Sequence, residues 1–341
     1  MSLSKLPSKD FLNRFIFPIL LVFLHWTAWA QPFYLPTANH ALFEKGGEER
    51  FFVPTPGHDW TAGCFGCVRS GGYQMHEGLD IKCLQRDRRG EPLDPVMATA
   101  DGVIVYMSDK PGLSNYGRYM VVKHDIGGIE VYSLYAHLSA FVAGMKPGKA
   151  VRAGEQIAVM GHTGAGISRD RAHVHFELNL FYTDHFNSFF KRHYPNEHDD
   201  HGVWNGQNLV GFDPRLVLLS ERAAGGQFNL LQWLQSRTEI CRVQIRKTDF
   251  SWPRRYPMLV RNPGVSADRI AGYEVAFDFN GLPFEMIPRS ETQMKGSAKY
   301  VLLSVNSAEQ AKNPCRKLVS RQGKSWQLTS HGLELLDLLT N

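Results

Sequence analysis

Apolar and polar positions alternate in short runs through much of the chain. Between Phe51 and Phe181 the segments Gly102–Tyr106, Tyr119–Lys123, Glu130–Tyr135, Gln156–Met160 and Val174–Leu180 are rich in β-branched and aromatic residues. Turns such as Pro111-Gly112, Gly127-Gly128 and Pro147-Gly148 separate them. No long stretch repeats with the 3.6-residue period of an amphipathic helix, so the pattern predicts a mainly β domain with an antiparallel sheet.

The texture then changes. Residues 182–210 are polar and rich in His, Asp and Asn, which reads as a long loop or insertion, and Gly211–Leu219 closes the domain. A Gly-rich junction at Ala223–Gly226 marks a boundary. Beyond it, Phe228–Leu234 predicts a short helix. Cys241, Val243 and Ile245 alternate with Arg242, Gln244 and Arg246, and a second alternating run, Tyr273–Phe279, leads to the hairpin signal Asn280-Gly281. A last helix follows Ser330 over Gly332–Leu339. The expected organisation is a leader over 1–30, an N-terminal extension over 31–50, a β domain over 51–222 and a smaller α+β C-terminal domain over 225–341.

The leader reading rests on the basic Lys5, Lys9 and Arg14, the apolar run Phe15–Leu24, and Ala28-Trp29-Ala30. That order is a signal peptide's, with cleavage expected after Ala30, and the run is shorter than the roughly 20 residues of a spanning helix. The mature product is expected in the periplasm or outside the cell, with no stable membrane insertion. Composition agrees: 43% hydrophobic and 21% charged residues over 341 positions exclude wholesale disorder and a multi-pass membrane protein. The net charge of +5 is spread without a basic run, so no nucleic-acid partner is expected.

Five cysteines in an exported chain suggest disulfides. One bridge is expected within Cys64, Cys67 and Cys83, another between Cys241 and Cys315, with one thiol left over. Cys64 and Cys67 have a redox or zinc spacing, but neither a thioredoxin-like context nor a second matching pair accompanies them.

The candidate chemistry lies in the histidines: His76 with Asp80 in MHEGLD, His137 in YAHLS, and His173 with His175 in AHVHFEL. In a strand, positions i and i+2 share a face, so one of His173 and His175 can bind metal while the other reaches the attacking water. His76, Asp80 and one of this pair make three ligands. The fourth position stays open, as catalytic rather than structural zinc requires.

At these residues the sequence resembles the lysostaphin/LytM-type zinc endopeptidases, whose pattern is H-x-x-x-D, a Tyr-Ala-His segment and H-x-H. Phe52–Gly57 resembles that family's opening strand, Gly161–Gly164 its Gly-rich turn and Gly211–Leu219 its exit, so the resemblance covers roughly residues 50–222. It implies a small antiparallel β domain with one zinc ion in a groove, held by His76, Asp80 and His175. It implies further that His137 and His173 are the catalytic pair handling protons and the oxyanion, with the general base left open between them. The substrate it implies is a peptide of bacterial cell-wall peptidoglycan. Two other readings stand beside it: a catalytically silent module that binds the wall or activates an amidase, and an extracellular protease on polypeptides.

Several residues stay open in the sequence. Glu177 either hydrogen-bonds His175 or is a solvated carboxylate, and Cys83 is expected as a disulfide or buried thiol facing away from Asp80. The 182–210 insertion, with His185, His193, His198, His201, Asp199 and Asp200, is expected as a solvated rim bordering the groove rather than a second metal site. His162 carries no role, and Trp60 and Tyr73 are either groove-lining or core. The C-terminal domain resembles no wall-binding module; it docks on the catalytic domain, recruits a protein partner or covers the groove.

Overall fold

The Gly-rich turns fold the alternating segments back on one another into a seven-stranded antiparallel sheet. The computed structural model describes residues 33–341, so the leader and its cleavage site lie outside the described residues. The sheet runs Leu209–Phe212, His173–Phe181, Ile129–Ala136, Tyr119–Ile126, Gly102–Ser108 and Ala150–Val151, and Leu79–Lys82 joins it on His173–Phe181. The strand His173–Phe181 organises this arrangement. Ile129–Ala136 pairs along one edge, while Leu79–Lys82 and Leu209–Phe212 divide the other.

Every residue of His173–Phe181 is buried, yet it keeps a period of two. Val174, Phe176, Leu178 and Leu180 enter the apolar core, and the opposite parity is His173, His175, Glu177 and Asn179. Buried polar side chains are in the large majority hydrogen-bonded, so a row of four on one strand face points to a built polar site.

Beyond residue 225, Pro283–Ser290, Ile270–Phe277, Cys241–Ile245 and Tyr300–Val305 form a four-stranded antiparallel sheet in that order. The helices Leu230–Gln235 and Ser330–Leu339 accompany it. This is the α+β texture expected from the alternation, the Asn280-Gly281 turn and the final apolar helix. Residues 33–341 belong to one compact unit, and one hydrophobic core runs from Phe176 and Phe212 through Val243 and Val275.

Four expectations change. The 31–50 segment is no mere extension but part of the core: Phe33, Leu35, Ala41 and Leu42 are buried in it, and Glu48–Phe51 is a helical turn. Phe52–Gly57 is no strand. Phe52 alone bridges to Ile81, because Pro54 and Pro56 have no N–H for a ladder. Within 182–210, Phe186–His193 is a helix burying Phe186, Phe189 and Phe190, an i, i+3, i+4 face too short to stand out among polar residues. The disulfide is Cys67–Cys315, and Cys64, Cys83 and Cys241 are free and buried. Pairing follows proximity in the folded chain, here a Cα–Cα distance of 5.3 Å across 248 residues, rather than nearness in sequence.

That crosslink closes a very long loop. Chain entropy puts its contribution at up to about 5 kcal/mol. Replacing Cys67 and Cys315 by Ser is expected to lower the melting temperature by at least about 5 °C; an unchanged calorimetric midpoint would contradict the bridge.

The helix Pro214–Ala224 buries Glu221, whose two carboxyl oxygens find no hydrogen-bond partner among the described residues. Burial pushes its pKa up to about 7. The folded state therefore holds the proton that the unfolded chain releases near pH ~4.5. Stability is full below that value and is lost as pH rises toward 7. Glu221→Gln should flatten this decline and raise the melting temperature at pH 8 by about 2–4 °C, with little change at pH 4.

Candidate metal centre

Strand register assembles the site. Asp80 lies directly across from His175 in one pair of strands, and His175 lies across from Ala136, the residue before His137, in the other. His76 ends the short strand Gln74–His76, and Glu77-Gly78 turns the chain into Leu79–Lys82. Gly78 is required there: a Cβ would sit 2.4 Å from the Phe176 carbonyl oxygen and 3.0 Å from His175 Nε2. His76, Asp80, His137, His173 and His175 are all buried.

Three ligand atoms converge. His76 Nε2 lies 3.0 Å from Asp80 Oδ1, His175 Nδ1 lies 3.0 Å from the same oxygen, and the two nitrogens are 3.1 Å apart. The outer hydrogen bonds fix what these atoms carry. His76 Nδ1 donates to the Cys64 carbonyl at 2.7 Å and His175 Nε2 donates to Glu177 at 2.9 Å. In the neutral rings, His76 Nε2 and His175 Nδ1 are therefore lone pairs, facing a carboxylate oxygen with no proton among the three. Arg69 takes the other oxygen, Asp80 Oδ2, at 2.7 Å and is itself tied to the Ala62 carbonyl. Such a triangle calls for a cation. A tetrahedral zinc with bonds of about 2.0–2.1 Å spaces its ligands by about 3.3 Å, close to these separations, so the donor set fits the ion.

The electrostatics agree. Burial opposes the charge on Asp80, but the imidazoles of His76 and His173 outweigh it and hold the carboxyl well below its usual range. Burial likewise opposes a charged His175, yet its hydrogen bonds with Asp80 and Glu177 lift the ring to about 10. The two carboxylates thus demand positive charge at His175 Nδ1, from a proton or from a metal ion.

His137 and His173 stand beside the triangle. His173 Nδ1 donates to the Arg171 carbonyl at 2.6 Å, which leaves Nε2 3.4 Å from Asp80 Oδ1. His137 Nδ1 donates to the Thr163 carbonyl at 2.9 Å, and its ring centroid is 4.8 Å from that of His173. Burial and the neighbouring rings hold the His137 pKa well below the usual histidine range, so this ring is neutral at pH 7. Its backbone has a φ of +63°, a conformation that costs a branched-free L residue about 1–2 kcal/mol. Backbone bonds from His137 to Tyr116 and from Leu138 to Arg118 hold it there.

These groups line one end of a cleft of about 750 Å³. Tyr116 and residues 205–207 form one side, so the insertion borders the cleft as expected; Asn280, Arg316, His331 and Leu335 of the C-terminal segment form another. Glu177 proves buried, bonded to His175 and to Asn179. Cys83 is a buried thiol bonded to Asp94. Among the described residues the group with metal-ligand geometry is His76, Asp80 and His175, and the histidines of the insertion form no second one. His162 pairs with Glu91, Trp60 stacks on Phe52, and neither Trp60 nor Tyr73 lines the cleft. Arg69, Asn179, Tyr116 and Arg316 carried no motif spacing and were not foreseen. Glu177 holds the His175 ring in place, so Glu177→Ala is expected to weaken zinc binding about 10–100-fold, read by chelator competition.

Fold and site together define a mainly antiparallel β domain with a buried His–Asp–His centre able to take a metal ion. Residues 74–187 match the model of Peptidase family M23. DD-carboxypeptidase/endopeptidase Mpg of Neisseria meningitidis serogroup B is 36% identical over 108 residues, which cover 32% of this chain and 21% of that protein. Murein hydrolase activator NlpD of Escherichia coli is 32% identical over 103 residues, 30% of this chain and 22% of that one. The catalytic domain of lysostaphin from Staphylococcus simulans aligns at 26% identity with a TM-score of 0.24, covering 38% of this chain and 74% of its own. The chain spans about a fifth of the length of the curated relatives it matches. No helix among the described residues is long and apolar enough to cross a membrane.

Proposed function

We propose that the chain is an exported zinc metalloendopeptidase that hydrolyses peptide bonds in bacterial cell-wall peptidoglycan, with 51–222 as its catalytic domain. The carrying observation is the triangle of lone pairs on His76, Asp80 and His175, with two further imidazoles beside it in one cleft. These three residues would hold a single zinc ion. Bound zinc polarises a carbonyl oxygen and makes water nucleophilic near neutral pH.

The proton work falls to His137 and His173. Each spends its Nδ1–H on a backbone carbonyl, which leaves Nε2 as an acceptor. The ring that takes the proton of the attacking water gains an Nε2–H. It then steadies the oxyanion or returns the proton to the leaving amine nitrogen. Arg69 and Glu177 keep Asp80 and His175 oriented throughout. Likeness to a DD-carboxypeptidase/endopeptidase and to a murein hydrolase activator supports a wall peptide as substrate.

The likeness to NlpD also supports a second reading, a module that activates another wall hydrolase. Mass spectrometry separates the two. The purified mature chain, loaded with one equivalent of zinc, is incubated with peptidoglycan of two cross-link types beside a chelator-treated sample. New amine and carboxyl ends at one peptide bond, absent with chelator, are expected. No release from either wall type, with zinc bound, would overturn the endopeptidase and favour the activator or a protease on polypeptides.

A further inference from the structure

The cleft is completed by residues far outside the peptidase-family match, and one of them is a cation with unspent donors. Arg316 lines the same cavity as His76, Asp80 and His175. Its Nε donates to Asn280 Oδ1 at 2.7 Å, and buried Asn280 is anchored in turn by Nδ2 donating to the Gly211 carbonyl at 2.7 Å. The neighbouring Cys315 is bonded to Cys67, which pairs with Met75 one residue before His76. The guanidinium is therefore held from both sides. Among the described residues neither of its Nη groups makes a hydrogen bond.

Of the other arginines of the cleft, Arg69 serves Asp80 and Ala62, while Arg171, like Arg316, donates only through Nε, to the Pro54 carbonyl, and among the described residues pairs with no carboxylate. Arg316 instead faces the carboxylate of Glu77 at 3.4 Å, an ion pair without hydrogen-bond geometry, in which the Glu77 side chain is 40% exposed. A carboxylate thus already stands loosely where one would bind, one residue along the chain from His76. A planar guanidinium with free Nη donors matches a carboxylate in a two-point fork.

We propose that Arg316 is a substrate-positioning residue that recognises a free carboxylate on the peptide, close to the bond to be cut, so that the preferred substrates are acidic rather than amidated peptides. This inference rests on the peptidase reading and adds its specificity. An incoming carboxylate displaces the weakly held Glu77 and gains the hydrogen bonds Glu77 does not make.

The test uses the zinc-loaded mature chain and two muropeptides identical except that one carries carboxylates where its twin carries carboxamides. Wild-type kcat/KM should favour the carboxylate form by about tenfold, chiefly through KM. Arg316→Gln should bring the two substrates level with zinc content unchanged, and Arg316→Lys should restore part of the preference. A preference that survives in Arg316→Gln, as it would if the carboxylate bound the metal instead, overturns the proposal, as does equal cleavage of both by the wild type. If neither is cut, the peptidase reading fails. Calorimetric Kd values for the same pair then decide on Arg316: a carboxylate preference lost in Arg316→Gln supports it, and none in the wild type overturns it.

Discussion

His76→Ala and His175→Ala are each expected to lose zinc and peptide hydrolysis together. Each supplies one lone pair of a triangle whose members lie 3.0–3.1 Å apart, and each is locked by an outer hydrogen bond, to the Cys64 carbonyl or to Glu177. Removal leaves two protein ligands in a buried site, so affinity should fall by more than the roughly 10–100-fold that loss of an orienting partner costs. Metal content after dialysis and hydrolysis of a muropeptide should drop in parallel, with circular dichroism confirming the fold. Full zinc occupancy in either variant would refute the ligand set.

The companion histidines should behave oppositely. His137→Ala and His173→Ala are expected to keep one zinc per chain and lose turnover by about 10²–10⁴, the range for a positioned acid–base group. Both rings lie beside the triangle, and neither completes it. Because His137 sits at a φ of +63°, where Asn is better tolerated than Ala, His137→Asn separates loss of chemistry from loss of fold. Zinc lost together with turnover in the His173 variant would make that ring a ligand and redraw the centre.

Much of the β architecture was legible because it depends on local periodicity, and the five site residues stood out because their three motifs resemble the lysostaphin/LytM pattern. An i, i+2 pair in a strand shares a face wherever the strand lies, and His173–Phe181 shows this along its whole polar row. What escaped was set by distance along the chain. Cys67 and Cys315 are 248 residues apart, and Arg316 reaches the cleft from a segment with no motif; no spacing in sequence announces such neighbours. Glu177 was ambiguous because its burial depends on the strands packed over it. The helix Phe186–His193 was hidden because three phenylalanines among polar residues give too brief a pattern.

The central claim is a zinc ion held by His76, Asp80 and His175, and X-ray absorption at the zinc edge of the mature chain with one equivalent bound tests it most directly. The chain offers a real alternative in the free thiols of Cys64, Cys83 and Cys241. The expected spectrum shows only nitrogen and oxygen neighbours at about 2.0–2.2 Å, with the outer-ring scattering of two imidazoles. A sulfur neighbour at about 2.3 Å, or the scattering of a single imidazole, would contradict the centre.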